Sequence, residues 1–216
     1  MSSFLDTMLE RAKADKQTIV LPEGDDPRTL EAAETILAQG VANLIILGNV
    51  AAIKESGRAL DGATLIDPQD SDLHDEFANT LYELRKHKGM TLEQAAEKVR
   101  DVLFFGVLMV KTGRADGMVS GACHSTGDVL RPSLQILKTA PGVKLVSSFF
   151  IMVVPNCEYG QNGTFLFSDC GLEIQPDAEK LAHIAVNSAQ SWKTLIGTEP
   201  VVAMLSHSTY GSAKND

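Results

Sequence analysis

The chain has 216 residues, 44% of them hydrophobic and 22% charged, the composition of a globular protein with a buried core. Its formal net charge of −9 argues against nonspecific nucleic-acid binding, though not against a small anionic substrate, because a local cluster of arginines overrides a global sign. The longest apolar stretch, Phe149 to Val154, is too short to span a membrane; Met1 to Phe4 does not begin a secretory signal, and three cysteines without a CxxC spacing fit a reducing cytoplasm better than a disulfide framework or a zinc site.

In chain order, Ser3 to Lys16 reads as an amphipathic helix with Phe4, Leu5, Met8, Leu9 and Ala12 on one stripe. Thr18 to Leu21 is a short apolar strand. Asp26 caps a helix that starts at Pro27 and stops at Gly40. Asn43 to Leu47 is a second strand, followed by a short helix over Val50 to Ser56 and a strand at Thr64 to Ile66. Ser71 to Lys88 predicts a longer helix, stopped by Gly89. Thr91 and Gln94 form a capping box for one helix running to about Thr112. Gly117 to Ser120 is a strand, Ser125 to Thr139 a helix and Lys144 to Val154 a long strand. Asn162-Gly163 signals a hairpin into the strand Thr164 to Ser168. A helix from Asp177 to about Leu195 and a strand over Val201 to Leu205 complete the series.

Strands alternating with helices imply an α/β fold of mostly parallel sheets with flanking helices. Pro141-Gly142 suggests a domain change, giving a first α/β domain over 1–143, without its C-terminal return segment, and the beginning of a second over 144–216. The last residues follow a strand and a Ser/Gly-rich loop where a helix is expected, so the second domain reads as incomplete.

The strongest local signal runs from Asp116 to Pro132: a strand, a small-residue loop and a helix N-terminus. Unpaired N–H groups there suit an anion. Ser120, Ser125 and Thr126 add hydroxyls, and Arg131 a guanidinium. This is either a phosphate or acetyl-phosphate cradle, or a βα turn capped by Ser125 with Arg131 paired to Asp128. Arg85, in the cluster Glu83 to Gly89, either meets the phosphates of a large anionic cofactor or complements a helix dipole. Arg28 either faces an anion at the carboxyl end of the first strand or pairs with Asp25 or Glu31. Ser206 to Lys214 is either a ligand-facing turn or a helix cap. Cys123 beside His124 is a weak nucleophile candidate, since adjacent turn residues rarely aim at each other. The histidines show no metal spacing. The carboxylates of Asp169 to Glu173 belong to a solvated loop or bind a cation.

Tyr82 to Gly89, Asp116 to Gly121, Leu130-Arg131-Pro132, and Pro155 to Gly160 with Gly163 to Phe167 stand in the order found in phosphate acetyltransferases, the phosphotransacetylases, which this chain closely resembles from Thr18 to Lys214. The resemblance implies a two-domain phosphate acetyl/butyryltransferase-like architecture, a site in the interdomain cleft and a homodimer. It also implies reversible transfer of acetyl between coenzyme A and inorganic phosphate, through acetyl phosphate, with no metal or bound cofactor. Coenzyme A is then a substrate, and acetate metabolism in the cytoplasm the setting. Family arginines map onto Arg28, Arg85 and Arg131, and the cradle serine and threonine onto Ser120 and Thr126. The family's catalytic serine–arginine pair and general-base aspartate lie beyond Asp216, so no catalytic residue is assigned here. The alternatives are a butyryl-preferring relative, or a fragment that binds ligand and self-associates without turnover.

Overall fold

The computed structural model of the chain describes residues 4–206 and 208–212. The chain divides into two compact units, up to Lys138 and from Thr139 onward. The first unit is built on a parallel sheet. Thr18–Leu21 (β1), Asn43–Leu47 (β2), Thr64–Ile66 (β3) and Gly117–Met118 (β4) pair in the order β3-β2-β1-β4. Each strand is short and apolar, and successive side chains point to opposite faces. Val20, Ile45 and Leu47 therefore enter one core, while Leu21, Leu44 and Ile46 enter the other.

The helices sort onto these two faces. Pro27–Gln39 (α2) and Val50–Glu55 (α3) bury Leu30, Ala33 and Ile53 against Leu21, Leu44 and Ile46. His74–Arg85 (α4), Leu92–Lys98 (α5), Val102–Lys111 (α6) and Thr126–Ile136 (α7) supply Phe77, Leu81, Ala95, Phe105, Leu108 and Ile136 to the opposite core. Of these, α6 is buried over nearly its whole length, from Leu103 to Met109, as an apolar helix must be. Phe4–Ala14 (α1) buries no residue; Ser3 lies outside the described residues.

Several expectations change. The helix expected from Thr91 to Thr112 is two helices. The Thr91–Gln94 capping box is present, but the Asp101 carboxylate accepts the N–H groups of Leu103 and Phe104 at 2.9 and 3.1 Å and starts α6 afresh. The helix expected from Ser71 begins at His74 and ends at Arg85. A 3-10 turn over Lys86–Lys88 follows, and Gly89 closes it with φ +83°. The strand expected to reach Ser120 ends at Met118.

In the second unit, Phe149–Val153 (β5) and Thr164–Ser168 (β6) form an antiparallel pair, with Phe149 opposite Ser168 and Val153 opposite Thr164. The strand expected from Lys144 starts only at Phe149, because Asp169 turns back after β6. Its carboxylate accepts the Ser148 N–H at 2.8 Å and the Ser148 hydroxyl at 2.7 Å, which ends the ladder. Ala178–Ile196 (α8) is capped by Asp177, which accepts the Lys180 N–H at 2.8 Å, and is closed by Gly197. Val201 to Leu205 is not a strand. Val201 and Leu205 are exposed, and no neighbouring strand among the described residues pairs with this segment. Within the loop expected over Ser206 to Lys214, positions His207, Ala213 and Lys214 lie outside the described residues.

Candidate functional site

The sheet order places a reversal between β1 and β4. From β1 the chain proceeds outward through β2 to β3, then returns to pair β4 on the other side of β1. In open parallel sheets the crevice beyond the carboxyl ends at such a reversal is where ligands bind. Two loops meet there: Pro22 to Asp26 after β1, and Val119 to Ser125 after β4.

Glu23 joins them. Its side chain is only 2% exposed. One carboxylate oxygen accepts the N–H groups of Gly121 and Ala122 at 2.9 and 2.8 Å. The other accepts those of Cys123 and His124, both at 3.0 Å, and the His124 Nδ1–H at 2.8 Å; an ionised carboxylate only accepts, so Nδ1 carries the proton. Burial by itself would raise the Glu23 pKa. The N–H groups of Cys123 and Ala122, the His124 ring and the Gly121 N–H outweigh it and hold the carboxyl well below the usual carboxylate range. Gly121, at φ +114°, adopts a conformation that favours glycine as the loop bends toward Glu23. Gly24 is equally constrained: it donates its N–H to the Leu47 carbonyl at 2.9 Å, and a Cβ there would sit 2.5 Å from that oxygen.

This arrangement corrects one reading of the loop. The N–H groups of residues 121–124, expected to await an anion, already serve Glu23. At the start of α7, Ser125 caps the helix: its hydroxyl donates to Asp128 at 2.6 Å and accepts the Asp128 N–H at 3.3 Å. Thr126 and Gly127, in the first turn, have no intrahelical acceptor for their N–H groups.

The sequence-selected arginines fall into two groups. Arg28 forks onto Asp26 at 2.7 and 3.0 Å and donates to the Ala122 carbonyl at 2.5 Å, so its partner is neither Asp25 nor Glu31. Arg11, Arg58, Arg100 and Arg114 also have partners. Among the described residues, Arg85 and Arg131 are the arginines with neither an ion pair nor a hydrogen bond from the guanidinium. The Nε of Arg85 and the hydroxyl of Ser120 are, among the described residues, the buried side-chain polar atoms left without a partner. Beside Arg85, Lys86 pairs with Glu83.

Cys123 and His124 do approach each other, Sγ to Nδ1 at 3.6 Å, contrary to the expectation from their adjacency. The thiol is nevertheless a poor nucleophile, because desolvation and the Glu23 carboxylate push its pKa up. Glu23, Cys123 and His124 are close enough to surround a cation, but the hydrogen bonds above already occupy both carboxylate oxygens. Asp169 likewise spends its carboxylate internally, on Ser148 and on the N–H groups of Gly171 and Leu172 at 2.7 and 2.9 Å. Sequence reasoning placed the Glu23 segment at the crevice but assigned Glu23 no role. Its partners lie 98 to 101 residues away, beyond any local pattern.

The fold and site define a class: an α/β protein with a small-residue loop and a helix N-terminus at a sheet reversal, where Ser120 keeps an unpartnered hydroxyl, suited to an anionic ligand. Residues 3–216 match the family model described as phosphate acetyl/butaryl transferase, and the chain belongs to that family. It is 55% identical to the phosphate acetyltransferase of Acetivibrio thermocellus, over 99% of this chain and 65% of the relative. It is 56% identical to that of Thermoanaerobacterium thermosaccharolyticum, over 99% and 66% respectively. Among solved structures, a phosphotransacetylase from Streptococcus pyogenes matches with a TM-score of 0.87 at 41% identity, covering all of this chain and 65% of that one. The EutD phosphotransacetylase from Staphylococcus aureus matches with 0.84 at 40%, covering 99% and 63%. The chain thus spans slightly less than two thirds of these relatives' own length.

Proposed function

We propose that these residues form the substrate-anion half of a phosphate acetyltransferase. In the proposed reaction the thiolate sulfur of coenzyme A attacks the carbonyl carbon of acetyl phosphate. The carbon–sulfur bond forms, the bond from that carbon to the phosphate oxygen breaks, and inorganic phosphate leaves with the electron pair. Coenzyme A is a substrate, and no resident metal or cofactor takes part. The observation that carries this reading is the pair of buried polar atoms without a partner among the described residues, the Arg85 Nε and the Ser120 hydroxyl, together with the exposed Arg131 guanidinium, whose charge acts on Asp128 without a hydrogen bond to it. A buried guanidinium nitrogen and a buried hydroxyl without partners are costly, and each is a group that an anionic substrate can satisfy. Arg28 and Ser125 act one step removed, bracing the loop and capping α7. Thr126 offers its first-turn N–H and hydroxyl. The proposed domain division follows the family architecture: a first domain through about residue 143 and the start of a second beyond it.

The setting proposed is cytoplasmic acetate metabolism, consistent with three free cysteines. No helix among the described residues is long and apolar enough to cross a membrane. A homodimer is proposed from the second unit, where Phe150, Phe167, Val186 and Leu205 are exposed. The alternative is a binding-only reading, in which these residues hold ligand without turnover. One assay separates these readings: coenzyme A binding together with thioester formation from acetyl or butyryl phosphate. Binding without thioester supports the binding-only reading of these residues, and thioester formation removes it. Preference for butyryl phosphate overturns the acetyl assignment, and failure to bind any of the three ligands overturns the acyltransferase reading.

A further inference from the structure

We infer that Glu23 is a positioning residue for the anion site: its buried carboxylate is an internal anion around which residues 121–124 are wound, and it sets where Ser120 and the first turn of α7 face. The inference rests on the proposed function for the identity of the outer anion, but its own basis is geometric. Four consecutive backbone N–H groups converge on one side chain. Such convergence makes a concave anion-binding nest. Here the nest is filled from within by a side chain that solvent hardly reaches, so it cannot also hold a substrate phosphate.

The segment after β1 therefore grips the loop twice. Glu23 takes its N–H groups, and Arg28, held by Asp26, donates to its Ala122 carbonyl. The flanks of the gripped stretch are the residues of interest: Ser120, with its unpartnered hydroxyl, precedes it, and the Ser125 cap of α7 follows it. An outer anion must then rely on side chains and on the Thr126 and Gly127 N–H groups. Glu23 contributes by fixing the backbone that carries them, without touching the anion. His124, tied by Nδ1 to the same carboxylate, is fixed in the tautomer whose Nε2 carries no proton while the ring is neutral.

The test uses the 216-residue chain and three measurements. In the unaltered protein, amide exchange should show Gly121, Ala122, Cys123 and His124 protected although they lie in a loop; free exchange at these amides would overturn the inference without any variant. Glu23→Gln replaces one acceptor oxygen with a donor facing N–H groups. It should weaken inorganic phosphate binding about tenfold or more, the consequence of losing one charge-assisted bond's worth of order. Phosphate affinity within twofold of the unaltered protein would overturn the inference. Glu23→Ala vacates the nest, and added formate should return the amide resonances of residues 121–124 toward their original positions and recover phosphate affinity. If formate moves neither, the nest is not an anion seat and the inference fails. Absence of phosphate binding in the unaltered chain would count against the acyltransfer reading instead, since the exchange and formate resonance measurements involve no substrate.

Discussion

Replacing Asp169 by Asn tests the electrostatic reasoning in isolation. The carboxylate accepts the Ser148 N–H and hydroxyl and the N–H groups of Gly171 and Leu172, all at 2.7–2.9 Å. Burial opposes its ionisation, but these donors prevail and lower its pKa from 3.8 to about 2. That difference is worth about 2 kcal/mol at neutral pH. An amide keeps one oxygen, which would take the three donors on Oδ1, and turns its NH2 toward the Ser148 N–H. One bond is lost and one donor is left facing another, so a total loss of about 2–3 kcal/mol is expected. The sign follows from the lowered folded pKa: the contribution is complete above the unfolded value and fades as pH falls toward 2. At pH 3 roughly half of the charge contribution should remain. Trp192, the single tryptophan, lies in α8 of the same unit, with Nε1 donating to the Thr198 hydroxyl at 3.0 Å. Its fluorescence during urea unfolding therefore reports on this unit. A loss below about 0.5 kcal/mol at pH 7, the size of an ordinary surface change, or a gap of equal size at pH 7 and pH 3, would refute the reasoning.

Further outcomes follow from the first unit. Gly24→Ala should destabilise it by about 1–3 kcal/mol, because the added Cβ meets the Leu47 carbonyl at 2.5 Å and Ile46 Cγ2 at 2.8 Å; an unchanged urea midpoint would contradict this. Asp101→Ala should lose about 1 kcal/mol through the missing cap of α6, whereas Asp101→Asn should recover most of it, as measured by thermal unfolding. Cys123 should react with iodoacetamide at neutral pH more slowly than a free thiol such as glutathione, because its thiol pKa is raised; mass spectrometry of the peptide containing Cys123 reads this directly, and faster reaction would show an activated thiolate.

The regular elements of the first unit were legible because their signals are local. The bounds of β1, β2 and β3 follow from short apolar runs, and those of α2 from Asp26, Pro27 and Gly40. Asn162-Gly163, both at positive φ, form the tight turn that bridges Gln161 to Thr164 at the start of β6, within the longer loop 154–163 that joins β5 to β6. What local pattern missed depends on partners. The division between α5 and α6 arises when the Asp101 side chain captures two N–H groups, yet an aspartate in a helical run looks like an exposed residue. The apolar spacing of Lys144 to Val154 suits a strand throughout, but a strand exists only where a neighbour pairs with it, and β6 pairs only as far as Phe149. Val201 to Leu205 has strand composition and no such neighbour among the described residues. At the site, the resemblance singled out Arg28, Arg85 and Arg131, and only the structure separates the braced Arg28 from the other two. The anchoring role of Glu23 was hidden because charge type alone does not reveal that a carboxylate will be buried beneath four amides.

The central claim is that the buried Arg85 Nε and Ser120 hydroxyl are without a partner, and the Arg131 guanidinium without a hydrogen bond, because they serve an external anion. Calorimetric titration of the folded protein with inorganic phosphate, and then with coenzyme A, tests this most directly when repeated on Arg131→Ala and Arg85→Ala. Removing a guanidinium that makes charge-assisted bonds should weaken binding about tenfold or more for at least one of the two ligands in each variant. Affinities unchanged for both ligands in both variants, with the fold intact by circular dichroism, would contradict the claim.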